Sequence, residues 1–167
     1  MRSFAAEMEP VANRHVVTSE PLQQGREKTM SVKVLIVEDE FLVAVNLQAV
    51  IEDLGYATVG IAADKPSALS LADDGPDVAL VDLNLRDGPT GPEIGALLSR
   101  MGVSVLYVTA NPRMLGDGVP GTLGVMTKPC RTDEMRDGLS YAINHRMGIS
   151  VPPPPGVTPF GPRSLNN

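Results

Sequence analysis

Residues 77–83 read DVALVDL, an unbroken apolar run that ends on the carboxylate of Asp82. A short run that is apolar at every position fits a strand buried on both faces, as in a parallel sheet covered by helices. Two other segments end in the same way. VKVLIVEDE, residues 32–40, closes on Glu38 and Asp39, and GVMT, residues 124–127, leads into Lys128 and Pro129. Three carboxylates and an ammonium at the ends of separate apolar segments suit phosphate and a divalent metal better than they suit packing.

Outward from these runs, strand-like and helix-like patterns alternate, the signature of an α/β, doubly wound parallel sheet. Five strands are predicted, over Val32–Val37, Ala57–Ala62, Asp77–Leu83, Ser104–Thr109 and Gly124–Thr127. Helices fit Phe41–Leu54, Pro66–Asp73, Pro92–Arg100 and Thr132–Arg146. Pro66 and Pro92 fall where a first helical turn tolerates a missing N–H. Thr132 suits a cap, and Asp133 and Glu134 then oppose the positive end of the helix dipole. Gly55 and Gly102 suit helix stops. Ligands of such sheets bind beyond the carboxyl ends of the strands, where Glu38, Asp39, Asp82, Thr109 and Lys128 all fall.

The flanks read differently. Residues 1–31 show no sustained period, so a flexible arm is expected, with Met30 as an alternative start. Residues 148–167 form a Pro-rich tail containing VPPPPGVTPFGP, expected as an extended, solvated spacer or a proline-rich docking ligand. The folded domain is therefore placed at residues 32–147, with no further domain after it.

Composition narrows the function classes. Of 167 residues 43% are hydrophobic, enough for one ordinary core. Aromatics make up 4% with no Trp, and the net charge is −6, which argues against direct binding of nucleic acid. A single cysteine, Cys130, excludes an intrachain disulfide and a cysteine-rich zinc site and fits a reducing compartment. With no apolar stretch near the roughly 20 residues that span a bilayer and no secretory leader, a cytoplasmic protein without membrane contact is expected.

The carboxylate cluster has a physical consequence. Two unit charges about 4 Å apart interact by roughly 4 kcal/mol at an effective dielectric of 20, so the group needs a counter-charge. Magnesium prefers oxygen ligands and keeps several waters, so one or two carboxylates plus phosphate oxygens suffice. Lys128 on the other side, and a hydroxyl from Thr109, would stabilise the oxygens of a phosphoryl group on Asp82.

VLIVEDE, LVDLNLRDG, VLYVTA and TKP, in that order over residues 32–147, resemble the signature segments of the response-regulator receiver domain of two-component signalling. The resemblance implies a flavodoxin-like five-stranded parallel sheet and makes Asp82 the phosphoacceptor. It further implies that Glu38 and Asp39 hold Mg2+ together with Asp82, and that Asn84 adds a backbone carbonyl. Thr109 becomes the switch hydroxyl, Lys128 the phosphate-binding lysine, and Pro129 follows a cis peptide. Asn111 either helps Asn84 steer a hydrolytic water or is an inert loop residue. Such a protein is not an enzyme in its own right but a phosphoacceptor that assists its own phosphorylation and dephosphorylation.

Two departures from that pattern stand out. Ala110–Gly124 carries Pro112, Gly116, Gly118, Pro120, Gly121 and Gly124 where relatives have their fourth helix, so a shortened or irregular element is expected there. Val125 stands where many relatives place an aromatic that rotates on activation, which puts aromatic-coupled switching in question.

In the first helix, Val43, Leu47, Val50 and Leu54 make a sheet-facing stripe, while Phe41, Leu42, Val45 and Ala49 fall largely off it. A helix apolar on two faces expects a second contact. That face suits docking of a histidine kinase or histidine phosphotransfer protein, against packing on the last helix or scattered surface apolarity. The resulting expectation is a stand-alone response regulator in a phosphorelay, acting on an unknown downstream protein by contact, with a homodimer allowed. The alternative is a receiver-shaped interaction module that works without phosphorylation. An aspartate-nucleophile phosphatase fits less well, because its nucleophile closes the first strand and is followed two positions later by Asp. A flavodoxin-like cofactor binder needs a donor-rich loop where this chain has Glu38-Asp39-Glu40.

Overall fold

The computed structural model describes residues 31–161. The arm expected over residues 1–31 therefore lies almost wholly outside the described residues, as do residues 162–167 of the tail.

Six strands form one sheet in the order β2-β1-β3-β4-β5-β6. β1 (Lys33–Val37), β2 (Ala57–Ala62), β3 (Val78–Val81), β4 (Ser104–Thr109) and β5 (Gly124–Thr127) are parallel to one another. Three helices connect β1 to β4, namely α1 (Phe41–Asp53), α2 (Lys65–Ala72) and α3 (Gly91–Arg100), and α4 (Thr132–Arg146) follows β5. The central strands β1, β3 and β4 are largely apolar and buried because alternate side chains enter two separate cores. Val34, Ile36, Leu80, Leu106 and Met126 pack with α1 and α4. Leu35, Val37, Ala79, Val81, Tyr107 and Val125 pack on the opposite side with α2 and α3.

The expected five-stranded sheet is corrected to six. β6 (Thr158–Pro159), within the segment read as a solvated spacer, pairs antiparallel with β5. Its flanking Val157 is buried, and burial of such side chains outweighs the local preference of a Pro-rich segment for solvent.

Between β4 and β5 the chain makes a single 3-10 turn, Pro112–Leu115, in place of a helix. Gly116, Gly118 and Gly121 all adopt positive φ in this connection, which no regular right-handed helix accommodates. The irregular element expected here is what the chain forms.

Two local expectations shift. The buried face of α1 is Ala44, Leu47, Val50 and Ile51, whereas Val43 and Leu54 are half-buried. A helix apolar around most of its girth fits two phases of the same stripe, and contact with both the sheet and α4 selects this one. Thr132 is the first residue of α4 and not its cap. Glu134 Oε2 instead accepts the Arg131 N–H at 2.9 Å, satisfying a free amide at the helix start.

Candidate functional site

The order of the strands reverses direction at β1 and β3, so their carboxyl ends flank the topological switch point. Glu38 follows β1 directly, Asp82 follows β3 and Lys128 follows β5. Each backbone is pinned by a neighbour: Glu38 N–H donates to Ala62 O at 2.8 Å, Asp82 N–H to Val37 O at 2.9 Å, and Lys128 N–H to Thr109 O at 2.8 Å. The side chains are thereby held on rigid strand ends.

Glu38 and Asp82 are nearly buried, at 2% and 7% exposure. Lys128 Nζ lies between them, donating to Glu38 Oε2 at 2.6 Å and to Asp82 Oδ2 at 2.9 Å. Asp82 Oδ1 accepts the Leu83 N–H at 2.6 Å, and Glu38 Oε1 accepts the Glu40 N–H at 3.0 Å. Burial pushes the Glu38 carboxyl above the usual glutamate range, with the Asp82 charge adding to the rise and Lys128 and the Glu40 amide opposing it. For Lys128 burial alone would favour the neutral amine, but the hydrogen bonds and charges of Glu38 and Asp82 outweigh it and hold the ammonium above the ordinary lysine value.

A bare glycine lets the acceptor strand and α3 meet. A Cβ on Gly91 would overlap the carbonyl oxygen of Asp82 and come within 2.5 Å of Leu83 Cα, so the helix starts against the strand end only without a side chain.

Thr109 is fully buried at the end of β4, and its Oγ1 accepts the Asn111 N–H at 3.2 Å. The Lys128–Pro129 peptide is cis. Asn84 is exposed just past the acceptor. Among the described residues, the acidic groups whose oxygens all lie within 4.8 Å of one another are Glu38, Glu40 and Asp82. Asp39, expected as the second metal ligand, is exposed and stands outside that group. Glu40, not singled out from the sequence, lies near the cluster, with Oε1 3.9 Å from Lys128 Nζ. Its position in the EDE run was the available signal, but adjacent acids look equivalent in the sequence, and the Glu40 side chain stays largely exposed at the rim of the buried pair. An all-oxygen donor set of this charge fits a hard divalent cation such as magnesium.

The family model for the response regulator receiver domain matches residues 34–140. The chain belongs to the receiver-domain family of response regulators. Among known proteins, this receiver is similar to the Phyllosphere-induced regulator PhyR of Methylorubrum extorquens, at 32% identity over 127 residues, covering 72% of the chain and 48% of the relative. The chain thus spans about half the length of the curated relative it matches. The solution structure of the Erythrobacter litoralis PhyR response regulator REC domain is similar at 29% identity and a TM-score of 0.61, covering 74% of this receiver and 95% of that domain. PhyR from Brucella abortus is similar at 30% identity and a TM-score of 0.61, covering 71% of this receiver and 50% of that chain. Receivers of this family are signalling proteins of two-component systems and not classical enzymes. The family works with a kinase or phosphotransfer partner in general. Among the described residues no helix is long and apolar enough to cross a membrane.

Proposed function

We propose that this receiver accepts a phosphoryl group from a phosphohistidine onto Asp82 and signals by protein contact in the cytoplasm. The observation that carries the reading is the Glu38–Lys128–Asp82 triad, in which an ammonium already lies 2.9 Å from an acceptor oxygen. In the transfer, an Asp82 carboxylate oxygen forms a bond to phosphorus as the bond from phosphorus to the imidazole nitrogen breaks. The electron pair of the broken bond stays on the donor's ring. Lys128 neutralises charge on the phosphoryl oxygens, and Thr109 offers a hydroxyl to one of them. Glu38, Asp39 and Asp82, with the carbonyl of Asn84 and with Glu40 beside them, would hold magnesium, which supplies further positive charge.

The docking side of the reading rests on α1. Phe41 is 75% exposed and Leu42 is 76% exposed, in the first turn of α1, which begins just after Glu38 in the chain. A groove of about 750 Å³ between α1 and α4 runs on to Lys128 and is floored by Val43, Leu47, Val50 and Met135. An amphipathic histidine-bearing helix of a histidine kinase or phosphotransfer protein fits such a face. The similarity to proteins described as an anti-anti-sigma factor suits output by protein contact.

The test is transfer of labelled phosphoryl from a phosphohistidine protein, with and without a magnesium chelator. Label that moves to the chain only with magnesium, and not to Asp82→Asn, supports the reading. Binding to partners that is indifferent to phosphodonor and to Asp82→Asn would favour the interaction module that works without phosphorylation.

A further inference from the structure

The tail crosses the edge of the sheet with an apolar anchor on each side. After the four prolines Pro152–Pro155, Thr158 pairs with Val125 and Pro159 with Gly124. Val157 enters the α1/α4 core, whereas Phe160 packs on the α2/α3 core beside Tyr107. The Phe160 N–H donates to Leu123 O at 3.1 Å, and its ring centroid lies 6.2 Å from that of Tyr107 at a 50° tilt. Gly118, at φ +100°, approaches the ring so closely that a Cβ there would collide with it.

The same features leave this segment weakly held. β6 has two residues, and Pro159 has no N–H to give to the ladder. The prolines before it favour an extended backbone without help from the sheet, so detachment of Val157–Phe160 frees little chain entropy in the connector and requires little rearrangement.

A physical route joins the segment to the acceptor. Thr109 Oγ1 accepts the Asn111 N–H, and under the function proposed above it is also the hydroxyl offered to a phosphoryl group on Asp82. Asn111 leads directly into the Pro112–Leu115 turn, Gly118 N–H donates to Leu115 O at 2.8 Å, and Gly118 is the wall against which Phe160 rests. Movement of the Thr109 hydroxyl toward Asp82 therefore loosens the loop that holds the ring.

We propose that residues 157–160 form a strap, closed over the β5 edge in the unmodified protein and released when Asp82 carries a phosphoryl group, so that the edge of β5 is uncovered by phosphorylation. This rests on the phosphoacceptor function proposed above. Two-state coupling of this kind requires an element whose equilibrium the site biases, and the strap is that element.

The test uses the full chain labelled with nitrogen-15, with beryllofluoride and magnesium as the phosphoryl mimic. Fluorine NMR reports binding at the acceptor, and amide hydrogen exchange reports the Phe160 N–H. The strap predicts that exchange at Phe160 quickens by roughly 5–150-fold, the usual span of coupling between sites, when the bound fluorine signal is present. Asp82→Asn shows neither effect. Phe160→Ala and Gly118→Ala, which empty or invade the ring's seat from opposite sides, bring the Tyr107 ring resonances without any mimic to the positions seen in the loaded wild type. A bound fluorine signal with unchanged Phe160 exchange overturns strap release while leaving the acceptor chemistry standing. No bound fluorine signal overturns both. Tyr107 resonances that stay at their unloaded positions in the two folded variants also overturn the strap.

Discussion

Lys128 is the residue on which the electrostatics of the site turn. Its ammonium is the counter-charge for two buried carboxylates, and truncating one partner of a buried ion pair leaves the other uncompensated, at a cost of about 3–5 kcal/mol. For Glu38 the folded pKa is raised above the unfolded one, so its contribution to stability is fully present below the ordinary glutamate value and is lost as pH rises through the folded value. Lys128→Met removes influences that hold the Glu38 value down and so widens that window upward. Denaturant unfolding should therefore show Lys128→Met losing more stability at about pH 8 than at about pH 5, as the buried carboxylate ionises. An equal loss at both would mean that Glu38 is not the group left unpaired. The Lys128 ammonium, also raised, contributes stability fully present below the ordinary lysine value and lost as pH rises through its own folded value. Gly91 offers a second probe. Gly91→Ala overlaps the Asp82 carbonyl, so it should destabilise by about 1–3 kcal/mol, as overpacking does, and slow labelling by acetyl phosphate. Wild-type labelling with an unchanged unfolding midpoint would show that strand and helix can part without cost. Glu38, Asp82 and Lys128 were legible in the sequence because each ends an apolar run. Glu40 was not, because nothing in EDE says which neighbouring carboxylate stays near the buried pair.

At the scale of elements, α1 carries two tasks. Ala44, Leu47, Val50 and Ile51 are buried, and the exposed Phe41, Leu42 and Val45 stand apart from them. Leu42→Glu places a charge on the exposed side and should leave labelling by acetyl phosphate near the wild-type rate. Transfer from a phosphohistidine protein should slow about tenfold or more, the effect of roughly 1.4 kcal/mol lost at an interface. Equal slowing of both reactions, or of neither, would remove α1 as the docking element. The central parallel strands were readable because burial on both faces makes them continuous apolar runs, and the irregular connection between β4 and β5 because its glycines and prolines rule out a helix. The phase of α1 was less readable, since an apolar surface around most of its girth supports more than one stripe. β6 was least readable of all. Its local composition favours solvated chain, and what holds it is distant: Val157 in one core and Phe160 in the other.

For the whole molecule, the sheet order brings the ends of β1, β3, β4 and β5 to one edge, and each of the chemically active residues follows or closes one of those strands. Receiver membership, the parallel α/β architecture and the position of the site all follow from that one arrangement, which is why short motifs far apart in the chain foretold it. The edge strand from the tail lies outside it. Whether the Glu38–Lys128–Asp82 arrangement is a working phosphoacceptor is decided by intact-mass measurement after incubation with acetyl phosphate and magnesium. The wild type should gain one phosphoryl group, and chelating the magnesium or substituting Asp82→Asn should abolish the gain. An unlabelled wild type, or equal labelling of Asp82→Asn, would contradict that function.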